Sequence, residues 1–155
     1  MAIILKPPQP LRKDPSTRSV FLAGSIEMGI AAPWQAAVEQ ALASAAVTIW
    51  NPRRDAWDSS WKQSYEHPLF FEQVSWELEA QERADIIAMY FAPETKAPIT
   101  LLELGLFART GKLIVCCPEG FWRKGNVDII CRRYGVTTVA DLAGLIEAVA
   151  AAASG

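Results

Sequence analysis

The sequence predicts an α/β fold in which a mostly parallel sheet of about five strands is covered by helices on both faces. The first observation is that short apolar runs, typical of buried strands, alternate along the chain with longer segments of helical spacing. The second is that these runs end in turn residues, such as Gly24 and the pair Asn51-Pro52. Parallel strands need long crossover connections, and the connecting helices then cover the sheet.

Each predicted element has a local reason in the sequence. Pro68 and Pro98 favour the first turn of a helix, where a missing N–H is not needed. His67 is a candidate cap before Pro68, Asp141 is a typical N-cap, and Gly111 suits a left-handed helix end. In order, we predict strand 19–24, helix 33–45, strand 46–50, helix 68–83, strand 85–91, helix 98–108, strand 112–117, short helix 126–134, a short edge strand 136–139 and an alanine-rich final helix.

Composition is that of an ordinary soluble globular protein. The chain has 155 residues, of which 51% are hydrophobic and 21% charged, with a formal net charge of -2. This length fits a single domain, which we place at 19–155 after a proline-rich extension, 1–18. The balanced charge predicts no nucleic-acid partner, and no segment predicts a signal peptide, a membrane span or a membrane-binding face.

The cysteines predict neither disulfides nor a metal site. Cys116 and Cys117 are adjacent, Cys131 stands alone, and the chain has a single histidine. Free thiols in a reducing cytoplasm are their expected state, and a structural zinc is not expected. We predict no cofactor.

One carboxylate, Glu103, lies within an apolar helix, at residues 98–108, where its neighbours are leucines. Such a residue is either paired and structural or it takes part in chemistry. In parallel sheets, ligands bind at the carboxyl ends of the strands, where the loops 24–26, 51–61, 92–98 and 118–126 are expected to meet. The helix that carries Glu103 follows one of these loops.

Four motifs, in this order and spacing, resemble the nucleoside 2-deoxyribosyltransferase family and its nucleotide N-glycosidase relatives. They are Phe-Leu-Ala-Gly-Ser-Ile at 21–26, Ala-Asp-Ile-Ile at 84–87, Leu-Glu-Leu-Gly at 102–105 followed by Gly-Lys at 111–112, and Pro118 with Asn126 eight residues later. The resemblance covers roughly residues 19 to 130.

The resemblance implies a flavodoxin-like homo-oligomer without cofactor whose substrates are a small-molecule nucleoside and a free nucleobase. Glu103 would be the nucleophile, and Asn126 would complete the site of a neighbouring subunit. Attack of Glu103 on C1′ would give a covalent glycosyl-enzyme, and a second displacement would give overall retention. A carboxylate near a helix N-terminus is favoured as the anion, which suits that role. The alternative is a buried glutamate that caps its helix or pairs with an arginine.

Asp85 matches the family aspartate that lies near the base and takes part in its protonation or positioning. A departing base needs a proton donor, so an acid is chemically required. The alternative is that Asp85 caps the preceding segment or holds a loop. Many family members carry a second aspartate six positions before the nucleophile, where this chain has Ala97. Either Asp85 acts alone, or the acid comes from the loop 55–58.

The remaining predicted binding residues lie in loops. Trp57, Asp58 and Trp61 combine aromatic faces with a carboxylate, which suits stacking a base and reading its edge, although the tryptophans could equally pack the loop onto the domain. The turn formed by Gly24, Ser25 and Ile26 would let bare backbone approach a ligand. The alternative for this turn is a plain tight turn.

Residues around these loops bear on whether a 5′-phosphate is accepted. Glu27 would repel a phosphate and favours nucleosides, whereas Arg123 and Lys124 could bind one. On the predicted second helix, Gln73, Trp76 and Glu77 could line a pocket, but packing explains this set as well.

The sequence therefore predicts a pentosyl-transferring enzyme of nucleoside salvage that exchanges the base of a 2′-deoxynucleoside through Glu103. Hydrolysis of the same bond, of a nucleoside or a nucleotide, is the enzymatic alternative. A non-catalytic nucleoside- or nucleotide-binding module on the same fold is the alternative of another class.

Overall fold

The computed structural model describes residues 1–24, 33–54 and 60–155. Within these ranges, six parallel strands form one sheet with five helices around it. The strands are β1 Ile3–Leu5, β2 Arg18–Gly24, β3 Val47–Trp50, β4 Ile86–Tyr90, β5 Leu113–Cys116 and β6 Thr137–Val139. The helices are α1 Trp34–Ala41, α2 Pro68–Arg83, α3 Pro98–Phe107, α4 Lys124–Arg133 and α5 Leu142–Ser154.

The strand order is β1-β3-β2-β4-β5-β6. Strands β2 to β6 alone reproduce the flavodoxin-like order 2-1-3-4-5, so the predicted three-layer α/β fold is confirmed. The order switches direction between β2 and β4, where Gly24 lies opposite Tyr90. Ligands in open α/β sheets bind in the crevice at this switch point.

The described residues form six strands where the sequence predicts about five, because β1 lies in the predicted extension. Ile3–Leu5 pair in register with Thr48, Ile49 and Trp50 of β3 and form an edge of the sheet. The segment that follows is also attached, since the Trp76 indole N–H donates to the Gln9 carbonyl oxygen at 2.9 Å. A three-residue apolar run before several prolines gives little strand signal by itself. The boundary between extension and domain at residue 19 stays a prediction.

Two hydrophobic cores lie on the two faces of the sheet, because successive strand side chains point to opposite faces. In β2, Phe21 and Ala23 face α2, α3 and α4, whereas Val20 and Leu22 face α1 and α5. The buried helix residues of the first core are Trp76, Ala80, Leu104, Phe107, Val127 and Cys131, and those of the second are Trp34, Val38, Leu145 and Val149. The packing of α2 beside α3 on the first face positions the candidate site.

The predicted helix ends are observed at several positions. His67 Nδ1 accepts a hydrogen bond from the Phe70 N–H at 3.2 Å, and an Asp141 carboxylate oxygen accepts one from the Gly144 N–H at 2.8 Å. Gly111 does not close α3 as predicted, because the helix ends at Phe107 with Ala108 in a right-handed conformation, and Gly111, with a φ of 77°, lies in the turn that follows. None of the helices in the described ranges is long and apolar enough to cross a bilayer.

Candidate functional site

Glu103 lies on the buried face of α3, together with Thr100, Leu104 and Phe107. Only 7% of the residue is exposed. Its Oε2 accepts a hydrogen bond from the Gln81 side-chain amide on α2 at 2.7 Å. Among the described residues, no lysine or arginine forms an ion pair with Glu103. Glu103 lies in the middle of its helix, so neither structural alternative for it, capping or pairing with arginine, is observed in the described residues. The expected stabilisation of its anion by the helix N-terminus is not observed either, since the pKa of Glu103 is raised.

A second carboxyl group lies beside Glu103 and belongs to Glu77 of α2. Gln73, Glu77 and Gln81 are each four residues apart and therefore lie on one face of the helix. Glu77 is half-buried, and its Oε2 accepts a hydrogen bond from the Gln73 side-chain amide at 3.1 Å. Gln81 donates to the Glu77 main-chain carbonyl oxygen at 3.2 Å as well as to Glu103. Two glutamines thus hold two glutamates between α2 and α3.

Burial raises the pKa of both carboxyl groups well above their ordinary value of 4.5. For Glu103, burial raises the pKa to about 7, against the hydrogen bond from Gln81, which lowers it. For Glu77, burial is again the largest cause, repulsion by the Glu103 charge adds to it, and the pKa reaches about 8 despite the Gln73 hydrogen bond. Near neutral pH the pair therefore retains a proton and is not doubly ionised. Such a pair can supply an anion and a proton donor together.

Asp85 is placed at the other end of the sheet. It precedes β4 and lies beside Ser19, at the amino end of β2, whereas α3 follows the carboxyl end of β4. Its Oδ2 accepts hydrogen bonds from Lys13 Nζ at 2.7 Å, the Ser19 N–H at 2.8 Å and the Ser19 hydroxyl at 3.1 Å. None of the contacts found in the described residues joins Asp85 to Glu103, so the structure does not bring the two predicted catalytic residues together.

The surroundings of Asp85 disfavour a proton donor. Burial would raise its pKa, but the hydrogen bonds from Lys13 and Ser19 outweigh this and lower the pKa below its ordinary value of 3.8. A carboxyl group with a lowered pKa is ionised at neutral pH and has no proton to give. The geometry therefore favours the alternative, in which Asp85 holds a segment of chain in place, and a catalytic role for Asp85 stays a prediction.

We expect Asp85→Asn to lower stability without removing activity. Loss of the Lys13 ion pair, discounted for its partial exposure to solvent, is expected to cost about 1 kcal/mol at pH 7. Because the folded-state pKa is lowered, this stabilisation is present above pH 3.8 and is lost as the pH falls through the folded-state value. Chemical unfolding at several pH values measures it, and Lys13→Met should give the same loss. A variant as stable as the wild type at pH 7 would contradict this role.

Gly24 lies at the carboxyl end of β2, as predicted, and packing explains the absence of a side chain there. A Cβ at this position would lie 2.7 Å from the Tyr90 carbonyl oxygen and would overlap the Trp34 ring. The Trp34 and Tyr90 rings are themselves in contact, with centroids 5.5 Å apart. Ser25 and Ile26, which complete the predicted ligand-binding turn, lie outside the described residues.

Trp61 is the part of the predicted base-binding loop that the structure describes, since Trp57 and Asp58 lie outside the described residues. Its ring lies 5.8 Å from the His67 ring, and the Arg54 guanidinium carbon lies 5.4 Å from its centroid. Arg54 also pairs with Glu72 on α2. These contacts pack the loop against α2, as in the alternative interpretation, and base stacking on Trp61 stays a prediction.

Asn126 is exposed in the first turn of α4. Within the described residues, it has no contact with Glu103. A role in a neighbouring subunit's site stays a prediction. Lys124 binds the Cys117 carbonyl oxygen at 2.9 Å and pairs with Asp128 at 3.1 Å, and Arg123 stacks on Trp122 at 4.6 Å. The two cations considered for a phosphate thus already have partners.

A cavity of about 490 Å³ opens at the carboxyl ends of β5 and β6. Its lining includes Glu119, Lys124, Asp128 and Thr138, but neither Glu103 nor Glu77. It is therefore separate from the carboxylate pair. Within the described ranges, no three histidine, cysteine, aspartate or glutamate side chains are grouped so that they could hold a metal ion.

The sequence interpretation named Glu77 only as a residue that could line a pocket and did not consider Gln81. The available signal was the spacing of Gln73, Glu77 and Gln81, which places three polar residues on a helix face that also carries the buried Trp76 and Ala80. That spacing alone does not reveal which residues of α3 they meet. The contact with Glu103 depends on how the two helices pack.

The comparisons with known proteins agree with this architecture. A family model described as "Nucleoside 2-deoxyribosyltransferase like" matches residues 17–121, a range that includes Glu77, Gln81 and Glu103 but not Asn126. The crystal structure of a conserved protein from Enterococcus faecalis V583 is similar, with a TM-score of 0.59 and 13% sequence identity over 85% of this chain and 96% of that chain. At this identity the likeness shows the fold alone. No curated protein matches the chain.

Proposed function

The chain belongs to the nucleoside 2-deoxyribosyltransferase-like family, and we propose that it exchanges the base of a 2′-deoxynucleoside through a covalent intermediate on Glu103. The observation that carries the proposal is the pair of adjacent carboxyl groups on α2 and α3, with the pKa of Glu103 raised to about 7 and that of Glu77 to about 8. N-glycosidic bond cleavage needs a nucleophile and an acid at the same time, and this pair provides both near neutral pH.

In the first step, a carboxylate oxygen of Glu103 attacks C1′ of the sugar. The new C1′–O bond forms as the C1′–N bond breaks, and the electron pair of the broken bond goes to the base nitrogen. Protonated Glu77 gives its proton to the departing base, which leaves as a neutral molecule. The products are a glycosyl ester of Glu103 and a Glu77 carboxylate. The ester is neutral and Glu77 has lost its proton, so the negative charge has moved from Glu103 to Glu77.

In the second step, a nitrogen of an incoming free base attacks C1′ from the opposite side. The ester C1′–O bond breaks, its electron pair returns to the Glu103 carboxylate, and the proton of the attacking nitrogen goes to Glu77. Two displacements on one carbon give net retention of configuration. If water replaces the base, the same steps release free sugar. Glu77 is only half-buried in the single chain, which is the observation that keeps hydrolysis as the second candidate.

The surroundings of the pair favour nucleosides over nucleotides. The Glu103 carboxylate would repel a phosphate brought close to it, since a charge is poorly screened in a buried site. Lys124 and Arg123 are engaged elsewhere, with Asp128 and Trp122 respectively. A nucleoside with a free 5′-hydroxyl group is therefore the proposed substrate.

A second copy of the chain is the proposed cover of this face. On α3, Ile99, Leu102 and Leu106 are each more than half exposed, and on α4 so is Ile129, one turn after Asn126. Exposed apolar side chains at such spacing are typical of protein–protein interfaces. This arrangement supports a homo-oligomer in which Asn126 reaches a neighbouring site.

We expect Ile129→Lys combined with Leu106→Lys to give a monomer with little activity, because buried lysines would disrupt the apolar contact. Light scattering coupled to size-exclusion chromatography measures the mass. The matched control is Ile3→Lys, on the partly exposed edge strand β1, which should leave both mass and activity unchanged. A wild-type protein that is monomeric and active at micromolar concentration would contradict the oligomeric site.

The activity is tested by incubating the protein with deoxyinosine and free adenine. Transfer gives deoxyadenosine and hypoxanthine, whereas hydrolysis gives deoxyribose and hypoxanthine. Deoxyinosine 5′-phosphate in place of the nucleoside tests the preference for a free hydroxyl group. If neither product forms from several purine and pyrimidine deoxynucleosides that nonetheless bind, the protein is a non-catalytic nucleoside-binding module and the proposal is wrong.

A further inference from the structure

Gln81 has a side chain whose orientation is fixed by two acceptors. Its amide nitrogen donates to Glu103 Oε2 at 2.7 Å and to the Glu77 carbonyl oxygen at 3.2 Å. Rotating the amide by 180° would place its oxygen against these two oxygens. The residue is fully buried, and in the described part of the chain its own Oε1 has no hydrogen-bond partner. Gln81 therefore donates a hydrogen bond to Glu103 while its own side-chain carbonyl oxygen stays without a partner in the described residues.

An unsatisfied buried carbonyl disfavours folding, and an apolar side chain of similar length would avoid it. Gln81 is fully buried on α2, and burial alone does not require an amide. Polar groups that disfavour folding are found in proteins chiefly where function requires them. Two hydrogen bonds distinguish glutamine from methionine at this position, one to the Glu77 main-chain carbonyl oxygen and one to Glu103, and only the second reaches a side chain of the carboxylate pair.

We propose that Gln81 is a positioning residue that holds one oxygen of Glu103 and thereby selects the other as the atom that attacks C1′. This inference rests on the proposed function. With Oε2 bound to the Gln81 amide, Oε1 accepts no hydrogen bond from any described residue and is the oxygen left to react. Gln81 is itself too deeply buried to touch the substrate, so it acts through Glu103.

The same hydrogen bond serves both displacement steps. When the ester forms at Oε1, Oε2 becomes the ester carbonyl oxygen and still accepts from Gln81. When the ester breaks, negative charge returns to the carboxylate, and a hydrogen bond to a charged acceptor is stronger than one to a neutral acceptor. Gln81 thus favours Glu103 as the departing anion in the second step and as the attacking anion in the first. No rearrangement of the amide is needed between the steps.

Gln73 provides a matched comparison on the same helix. Its amide nitrogen donates to Glu77 Oε2 at 3.1 Å and to the Pro52 carbonyl oxygen at 2.8 Å, and its Oε1 is likewise buried without a partner in the described residues. Gln73 and Gln81 therefore have the same chemistry but hold different carboxyl groups. Replacing each one by methionine should raise the pKa of the carboxyl group that it holds, Glu77 or Glu103.

The test is the pH profile of kcat/KM for deoxyinosine with adenine, in the wild type, Gln81→Met and Gln73→Met. In Gln81→Met we expect the acidic limb to move up by about one pH unit, which corresponds to a tenfold loss of rate on that limb. The maximum of kcat/KM also falls, because the two carboxyl groups titrate as a unit and the pH interval between the two limbs of the profile narrows. In Gln73→Met the alkaline limb should move up instead, with the acidic limb unchanged.

A second measurement does not depend on activity. In protein labelled with ¹³C at the glutamate carboxyl carbons, the Glu103 resonance, assigned with Glu103→Gln, should titrate about one pH unit higher in Gln81→Met. Thermal unfolding of Gln81→Met at pH 6, where Glu103 is largely protonated, should show no loss of stability. Gln81→Leu should reproduce the shift of the Glu103 resonance.

The outcomes separate the two proposals. If the wild type turns over deoxynucleosides but neither the acidic limb nor the Glu103 resonance moves in Gln81→Met, the positioning role is wrong and the proposed function stands. If Gln73→Met moves the acidic limb equally, the effect belongs to packing and the role of Gln81 is again overturned. If the wild type acts on no nucleoside, the proposed function fails and takes this role with it, even where the resonance shifts.

Discussion

Replacing Glu103 by glutamine is expected to abolish transfer and hydrolysis together. Glutamine keeps the size of the side chain but is not a nucleophile, so no glycosyl ester can form. Loss of an enzyme's nucleophile lowers kcat by several orders of magnitude, and we expect a loss of at least about 10³-fold. Binding of the nucleoside should persist, because the contacts with the base and the sugar do not depend on ionised Glu103. Product analysis by chromatography and calorimetric binding at pH 7.5 measure the two effects separately.

The same substitution is expected to stabilise the protein at alkaline pH. The folded-state pKa of Glu103 is raised from 4.5 to about 7, so the folded protein binds more protons than the unfolded chain in this interval. Its contribution is therefore most favourable below pH 4.5 and is lost as the pH rises through about 7. Glu103→Gln removes this dependence, and its melting temperature should exceed that of the wild type at pH 8 by more than at pH 5.

The control for both measurements is Glu147→Gln, an exposed glutamate on α5, on the opposite face of the sheet. It should change neither activity nor the pH dependence of stability. A Glu103→Gln protein that still transfers deoxyribose at more than a few per cent of the wild-type rate would exclude Glu103 as the nucleophile. Mass spectrometry of the wild type quenched during turnover should show the added deoxyribosyl group on the peptide containing Glu103, and the variant should lack it.

Much of the fold was predictable because local signals and tertiary structure agree. Helix α2 begins at Pro68 and ends at Arg83, as predicted, since the His67 cap and Pro68 define its start and Asp85 precedes the next buried strand. Strand β1 was missed because a three-residue edge strand has no periodicity of its own, and its pairing with β3 depends on a partner more than 40 residues away.

The proposed acid, Glu77, was not predictable in the same way. Asp85 was chosen from its motif, although a carboxylate that opens a strand lies at the amino end of a parallel sheet, whereas ligands bind at the carboxyl ends. Glu77 carries no motif of this kind. Its raised pKa arises from burial between α2 and α3 and from repulsion by Glu103, and both are properties of helix packing rather than of neighbours in sequence. Glu103 was predictable because an isolated carboxylate among leucines is visible in the sequence itself.

Replacing Glu77 by glutamine is expected to remove the proton donor while keeping the nucleophile. General acid catalysis contributes typically 10²–10⁴-fold, so we expect kcat/KM for deoxyinosine to fall by about 10³-fold. The loss should be smaller for a nucleoside whose base is a better leaving group, because less proton transfer is needed there. The alkaline limb of the pH profile, near pH 8 in the wild type, should disappear, and the acidic limb should stay near pH 7, because the repulsion between the two carboxyl groups raises the pKa of Glu77 and not that of Glu103.

The matched control for Glu77 is Glu79→Gln on the same helix, since Glu79 is exposed and pairs only with Arg83 at 3.1 Å among the described residues. It should retain the full rate and both limbs. An alkaline limb that survives in Glu77→Gln would assign the proton to another group, and Asp85→Asn would then show whether the family motif gave the right residue after all. If both variants keep the limb, the acid lies in the loop 55–58 or on a neighbouring subunit. Loss of the limb in Glu77→Gln alone would place both halves of the chemistry, the nucleophile and the proton, on the two helices that pack against each other.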